Sequence, residues 1–474
     1  MADNHENNRP DGSDDDNGKD PFAEMFSNLF GGNLPGGMNP QDLPEDVQKQ
    51  LGDLQNNPQA MQNMFRQMQQ LMGAMASGES GPVNWSLAID SARQAAAGDD
   101  PTVTGPRQQA VADAGRLAEM WLDQATAFDS AGTDFTAISR AQWVTKTMDT
   151  WKVLTSDVAQ SMSEAMTRAM TDQAPEEMKS MLAGAQGMFQ NLGGAMFGMQ
   201  LGTAVGGLAK DVFGGTDIGL PLAGNSPVLV PANVSAFGED LEAPEQEVLL
   251  FMVLREAAHI RLFARAPWLR GHVVSAIESY ARGIHIDMSK IEESLRDIDP
   301  MNPESFQSQA IEGLFTPQHS DAQRSALEKL ETALALIEGW VDQVVAEASA
   351  NLPAAGALRE MLRRRRATGG PAEQAFASLV GLELRPRRLR DASAFWAAMR
   401  EERGVAGRDD IWSHPDLMPT SEDLDDPAGF TERRRLAEAA DSEIDEALDK
   451  LLSGGFDEPD TGDSDGSAPE DPKA

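Results

Sequence analysis

Four glycines spaced four residues apart, Gly194, Gly198, Gly202 and Gly206, constrain this chain more than any other feature. Residues four apart share one face of an α-helix, so the run GGAMFGMQLGTAVGGLAK reads as a helix with a bare stripe that another backbone can approach closely. The apolar stretch is barely long enough to cross a bilayer, is diluted by glycine, and meets Gln200 before Lys210. A helix buried inside a protein core is therefore expected, not a membrane span.

Helical spacing recurs along the chain. The segments 107–126, 141–171 and 175–192 repeat apolar residues at three- and four-residue steps, with Trp121, Trp143 and Trp151 placed to anchor their packing. Further helices are expected at 244–265, 268–282, 321–350, 354–366, 372–379, 392–403 and 431–451. Pro244 suits the first helix start and Pro267 ends that helix. The best strand candidate is 226–234, SPVLVPANV, short and bounded by proline. These patterns predict a mainly α fold with at most a small β element.

Residues 1–55 are rich in Asn, Asp, Gly and Pro and read as a disordered tail, as do the acidic residues 454–474. Between the first tail and a helical domain over 83–453 lies a Met-rich amphipathic helix at 56–80. Its stripe of Met61, Met64, Phe65, Met68, Leu71, Met72 and Met75 could dock in a partner's groove or fold back onto the domain. The N-terminus has neither a basic start nor an apolar stretch, so no signal peptide and a cytoplasmic location are expected.

A net charge of −37 repels phosphate backbones and anionic lipid heads, so neither nucleic-acid nor membrane binding is expected. The dense basic patches are Arg363–Arg366 and the run Arg385, Arg387, Arg388 and Arg390. They read as a solvated helix end, with an acidic partner, a nucleic acid or one of the chain's own tails as the alternatives. No aromatic residues interleave with them as a stacking platform would require. No phosphate-cradling loop and no Gly-x-Ser-x-Gly elbow occur.

The chain has no cysteine, so a metal would have to be held by His, Asp or Glu. The histidines are His5, His259, His272, His285, His319 and His414, and His414 reads as part of a capped turn. Within the apolar helix sits Arg255-Glu256-Ala257-Ala258-His259. A His-Glu-x-x-His helix puts two histidines on one face to grip zinc while the glutamate polarises the bound water. Here arginine occupies the first ligand position, and a Glu-x-x-His pair alone carries little weight. On the motif alone, a histidine satisfied by a neighbouring carboxylate is the preferred account.

Four blocks in order give a wider resemblance: FGGTDIGLPLAG, REAAHIRLFARAPWLRGHVVSAIESYARGI, IEGWVDQVVAEA and the long run from GLELRPRRLRD to SEDLDDP. Over roughly residues 83 to 450 the chain resembles the zincin-like zinc metalloprotease family of bacteria. That resemblance implies a zincin-like helical domain and a zinc-dependent hydrolase acting on peptides. It implies Glu256 as general base, His259 as second zinc ligand and Glu338, from Glu338-Gly339-Trp340, as a further ligand. It also exposes two departures, Arg255 for the first ligand and Trp340 for the histidine of the later block. A guanidinium has no lone pair to offer and repels a dication, so tight zinc binding by the usual set is not expected.

Two readings follow. One is a zinc-dependent hydrolase, with His272 or Glu278 swinging in to complete the metal set. The other is a non-catalytic descendant, a pseudoenzyme that uses the old cleft, the Met-rich helix or the tails to bind a protein or peptide. In the second, Arg255 pairs bidentately with Glu338 or Glu256 and puts fixed positive charge where zinc would sit.

Overall fold

The computed structural model describes residues 81–132, 134–173, 176–239, 241–282, 320–368 and 387–452. The chain divides into two units, 1–73 and 74–474, and the first lies outside the described residues. So do the expected Met-rich helix, both expected tails and the expected helix 372–379.

In chain order the described helices are α1 (Trp85–Ala96), α2 (Gly105–Leu122), α3 (Arg140–Gln173) and α4 (Glu176–Leu208). They are followed by α5 (Pro231–Gly238), α6 (Glu245–Arg265), α7 (Trp268–Ala281), α8 (Asp321–Ala348) and α9 (Ala355–Thr368). The last are α10 (Leu389–Asp410), α11 (Ser421–Asp425) and α12 (Phe430–Leu452), with short 3-10 turns between. None is long and apolar enough to cross a membrane. The fold is mainly α, as the periodicity predicts.

The glycine stripe is where α1 lies on α4. A Cβ at Gly198, Gly202 or Gly206 would stand 2.5 Å from the carbonyl oxygen of Asn84, Ala88 or Ala92 in turn. The stripe therefore tracks α1 turn by turn, and Asn84 donates its backbone N–H to the Gly194 carbonyl at 2.9 Å. Asn84 also caps α1, its side-chain oxygen accepting from Leu87 N. The segments expected at 175–192 and 194–206 are one helix, because nothing in glycine breaks a helix whose stripe is filled by a neighbouring backbone.

Gly202→Val is expected to cost about 3 kcal/mol or more, since the added atoms meet backbone that cannot move aside. On the same helix Gly207 has open space around its Cβ position, so Gly207→Ala should be neutral or stabilising by roughly 0.5–1 kcal/mol. Urea denaturation of the two variants checks the contrast.

The β element is smaller than the sequence suggests. Strand β1 (Thr136–Ala137) pairs in parallel with β2 (Val228–Leu229), Thr136 opposite Val228. The expected strand 226–234 stops there because Pro231 starts α5: proline has no N–H for a ladder but fits the first helical turn.

At the centre, α6 is enclosed on every side. From Leu250 to Phe263 each side chain is buried, so its sequence is apolar all round rather than striped. Helices α2, α5, α8 and α9 pack against it, and α8 is in turn covered by α7 and α10. The start of α8 is fixed by a capping box between Ser320 and Gln323. Polar residues on α6 and α8 must therefore find partners inside the protein, and that requirement builds the site.

Candidate functional site

Four residues apart on α6, Arg255 and His259 share the face turned to α8. From α8, Glu338 reaches both. Its Oε2 accepts from Arg255 Nη2 at 2.7 Å, and its Oε1 lies 3.1 Å from His259 Nε2. Relative exposures of 1% for Glu338, 1% for His259 and 7% for Arg255 leave little water to share the charge. Arg255 meets Glu338 through one nitrogen, not the bidentate fork expected, and does not pair with Glu256.

The His259 ring is held at both ends. Nδ1 lies 2.8 Å from the Arg255 carbonyl oxygen, which can only accept, so Nδ1 carries a hydrogen. Nε2 lies 3.1 Å from a carboxylate oxygen of Glu338.

Glu256 turns the other way. Its Oε1 accepts from Gly215 N at 3.0 Å and its Oε2 from Thr216 N at 3.2 Å and Thr216 Oγ at 2.6 Å. The loop 214–216 thus wraps the carboxylate, and a Cβ at Gly214 would strike it. Burial pushes the Glu256 carboxyl up, against the Thr216 hydroxyl, His259 and the two backbone donors. The residue read as a general base has both oxygens occupied by three donors.

The basic cluster of α9 is not a solvated helix end. Arg366 points inward, with Nη2 3.0 Å from Asp217 Oδ1 and 3.3 Å from Glu338 Oε1. Arg365 donates to the Asp211 carbonyl and lies over the Phe213 ring at 4.4 Å. Arg363 and Arg359 both clasp Asp342, one turn after Glu338, and Ser393 Oγ joins them at 2.8 Å. Of the four arginines expected to be exposed together, Arg364 pairs at the surface with Glu360.

Glu338 consequently sits between two guanidiniums. Burial works against its charge, but Arg366, Arg255 and His259 outweigh that and hold its carboxyl well below the usual carboxylate range.

Asp342 follows the same logic: burial raises it, while the Arg359 and Arg363 guanidiniums more than reverse the effect. The folded carboxyl stays ionised at pH values where the unfolded one, near 3.8, takes up a proton. Its ion pairs therefore contribute fully above about pH 4 and are lost as pH falls through the lower folded value. Asp342→Asn should cost about 3 kcal/mol at pH 7, and the gap to wild type should narrow below pH 4 in urea titrations.

Trp340 does not share this centre. Two residues on from Glu338, it faces away across α8, donating Nε1 to Asp409 Oδ1 at 2.9 Å and stacking on Phe128. Gly339 between them packs on Ala392, where a Cβ would come within 2.6 Å. His272 is also elsewhere, its ring edge-on to Trp268 and its buried Nε2 without a hydrogen-bond partner. His414 forms a turn, accepting from Asp416 N. His5, His285 and His319 lie outside the described residues.

A zinc ion at Glu338 would need unshared electron pairs and room. His259 Nε2 and Glu338 supply two donors at a spacing two ligands of one ion could adopt. Arg255 and Arg366 supply positive charge on the same carboxylate instead. Among the described residues no group of three His, Asp or Glu side chains could hold a metal. The residues do not fit the ion.

Even so, the helices that carry them belong to a metalloprotease scaffold. The model of the zincin-like metallopeptidase family matches residues 83–431, and the chain belongs to that family. Among solved structures it is similar in fold to a protein of Chloroflexus aurantiacus described as a candidate hydrolase with a novel fold. That likeness has a TM-score of 0.51 at 17% identity, covering 74% of this chain and 99% of the other. No curated protein matches the chain in sequence.

Sequence reasoning singled out Arg255, Glu256, His259 and Glu338 and missed Arg366, Asp217 and Asp342. Two signals were available. Glu338 and Asp342 are four apart on one helix, and Asp217 lies in the FGGTDIGLPLAG block beside the Thr216 that holds Glu256.

Proposed function

We propose that this protein is a zincin-like metallopeptidase relative in which a buried charge cluster stands where the family would hold zinc, and that it acts by binding a protein or peptide, not by hydrolysing one. The observation that carries the reading is Glu338, engaged by Arg255 at 2.7 Å and by Arg366 at 3.3 Å. Two guanidiniums supply about the charge of a dication, without the Lewis acidity that would polarise water or a carbonyl. Glu256 adds to it: Gly215 and Thr216 take three of the about four acceptor sites on its carboxylate.

One observation favours the hydrolase reading, the His259 and Glu338 pair at 3.1 Å, with His259 Nδ1 already oriented by a carbonyl as in metal-ligating histidines. For that pair to take a metal, Arg255 would have to leave Glu338.

The test is peptide hydrolysis by the purified protein with added zinc, beside Glu256→Gln. The binding reading predicts no turnover that disappears both with a chelator and with Glu256→Gln. Turnover lost in both would establish the hydrolase.

A further inference from the structure

The last helix is solvated over most of its length. From Arg435 to Leu452 every described side chain of α12 is exposed. Leu436, Ile444, Leu448 and Leu452 are 56%, 64%, 50% and 77% exposed in turn. In sequence Leu436, Ala440, Ile444, Leu448 and Leu452 recur at four-residue steps, the ridge that packs into the groove of a neighbouring helix. Single exposed apolar residues are ordinary, but a row of them along one helix marks a surface that a partner covers. A helix of this length standing alone is marginal in water, so covering the ridge also stabilises the helix.

Charge says what kind of partner fits. Residues 436–452 hold one base, Lys450, against Glu438, Asp441, Glu443, Asp445, Glu446 and Asp449. At about 100° per residue, Glu443 borders the ridge beside Leu436 and Asp445 borders it beside Leu452. A second copy of α12, parallel or antiparallel, would lay these acids against their like across the apolar run. Anionic lipid heads would be repelled for the same reason. A cationic surface is attracted.

We propose that α12 docks through this ridge onto a basic amphipathic helix of another protein. The apolar rows of the two helices interleave, and lysine or arginine of the partner lies beside Glu443 and Asp445, as charged residues bordering an apolar seam do in paired helices. The inference is independent of the buried centre. Helix α12 runs on past residue 431, where the family match ends, so the docking surface stands whether that centre hydrolyses a peptide or not.

The probe is a synthetic peptide with leucine at helical three- and four-residue steps and lysine elsewhere. It is titrated calorimetrically into the full chain beside a permuted peptide of the same composition. A net charge of −37 draws any basic peptide, and the permuted one measures that share. The patterned peptide should bind roughly tenfold or more tightly than the permuted one, and Ile444→Ser with Leu448→Ser should erase the difference. Both positions are exposed, so the double variant should fold, and its far-ultraviolet circular dichroism should match wild type. Equal binding of the two peptides, or an unchanged preference in the double variant, overturns the proposal. So does a wild-type dimer in sedimentation equilibrium that the double variant dissolves, because a second copy would then cover the ridge.

Discussion

Glu338→Ala is expected to destabilise the folded protein by about 3–5 kcal/mol, the cost of removing one partner from a buried ion pair. The carboxylate lies between Arg255, Arg366 and His259, all buried and all within 3.3 Å of it. Without it the two guanidiniums repel each other in a region closed to water. The Arg255 to Glu338 bond is lost, while Asp217 keeps Arg366 and the Phe213 N–H. Arg255→Leu should cost less than Glu338→Ala, because Glu338 keeps Arg366 and His259. The double variant should cost clearly less than the two single losses combined, a coupling that residues in one network show. Urea denaturation of the three variants gives the cycle, and a loss below 1 kcal/mol for Glu338→Ala would mean that the cluster is open to solvent.

Trp340→His, which restores the histidine of the family's later block, is expected to bring no metal and to cost roughly 3 kcal/mol, toward the low end for truncating a buried tryptophan. Trp340 is fully buried, stacks on Phe128 with ring centroids 5.3 Å apart and donates to Asp409. Imidazole would recover the bond to Asp409 at best, leaving a void beside Phe128 and the Arg408 guanidinium. Because position 340 faces away from Glu338 across α8, a histidine there cannot join His259. Zinc acquired by Trp340→His alone would contradict the geometry described for α8.

Much of the fold was legible because helical periodicity is local. The glycine stripe announced a close helix contact, although not that α1 would be the neighbour, which depends on Asn84 capping a helix more than a hundred residues earlier in the chain. Gly404, with φ 73°, bends α10 where the expected helix 392–403 ends. The strand was overestimated because the apolar residues Val228, Leu229 and Val230 are buried with only a two-residue ladder, and Pro231 then starts a helix.

At the site, spacing on one helix revealed Arg255 with His259. Pairing between helices was beyond it. Arg366 looked like surface because it stands in a run of four arginines, and only the packing of α9 on α6 distinguishes it from Arg364. The cationic character of the centre, two guanidiniums on one carboxylate, follows from that packing.

The central claim, that fixed positive charge replaces the metal, is tested most directly by elemental analysis of the untagged protein beside Arg255→His. The account predicts no zinc in wild type and zinc in Arg255→His, where imidazole replaces the guanidinium next to His259 and Glu338. About one zinc per chain in wild type, lost on His259→Ala, would contradict it.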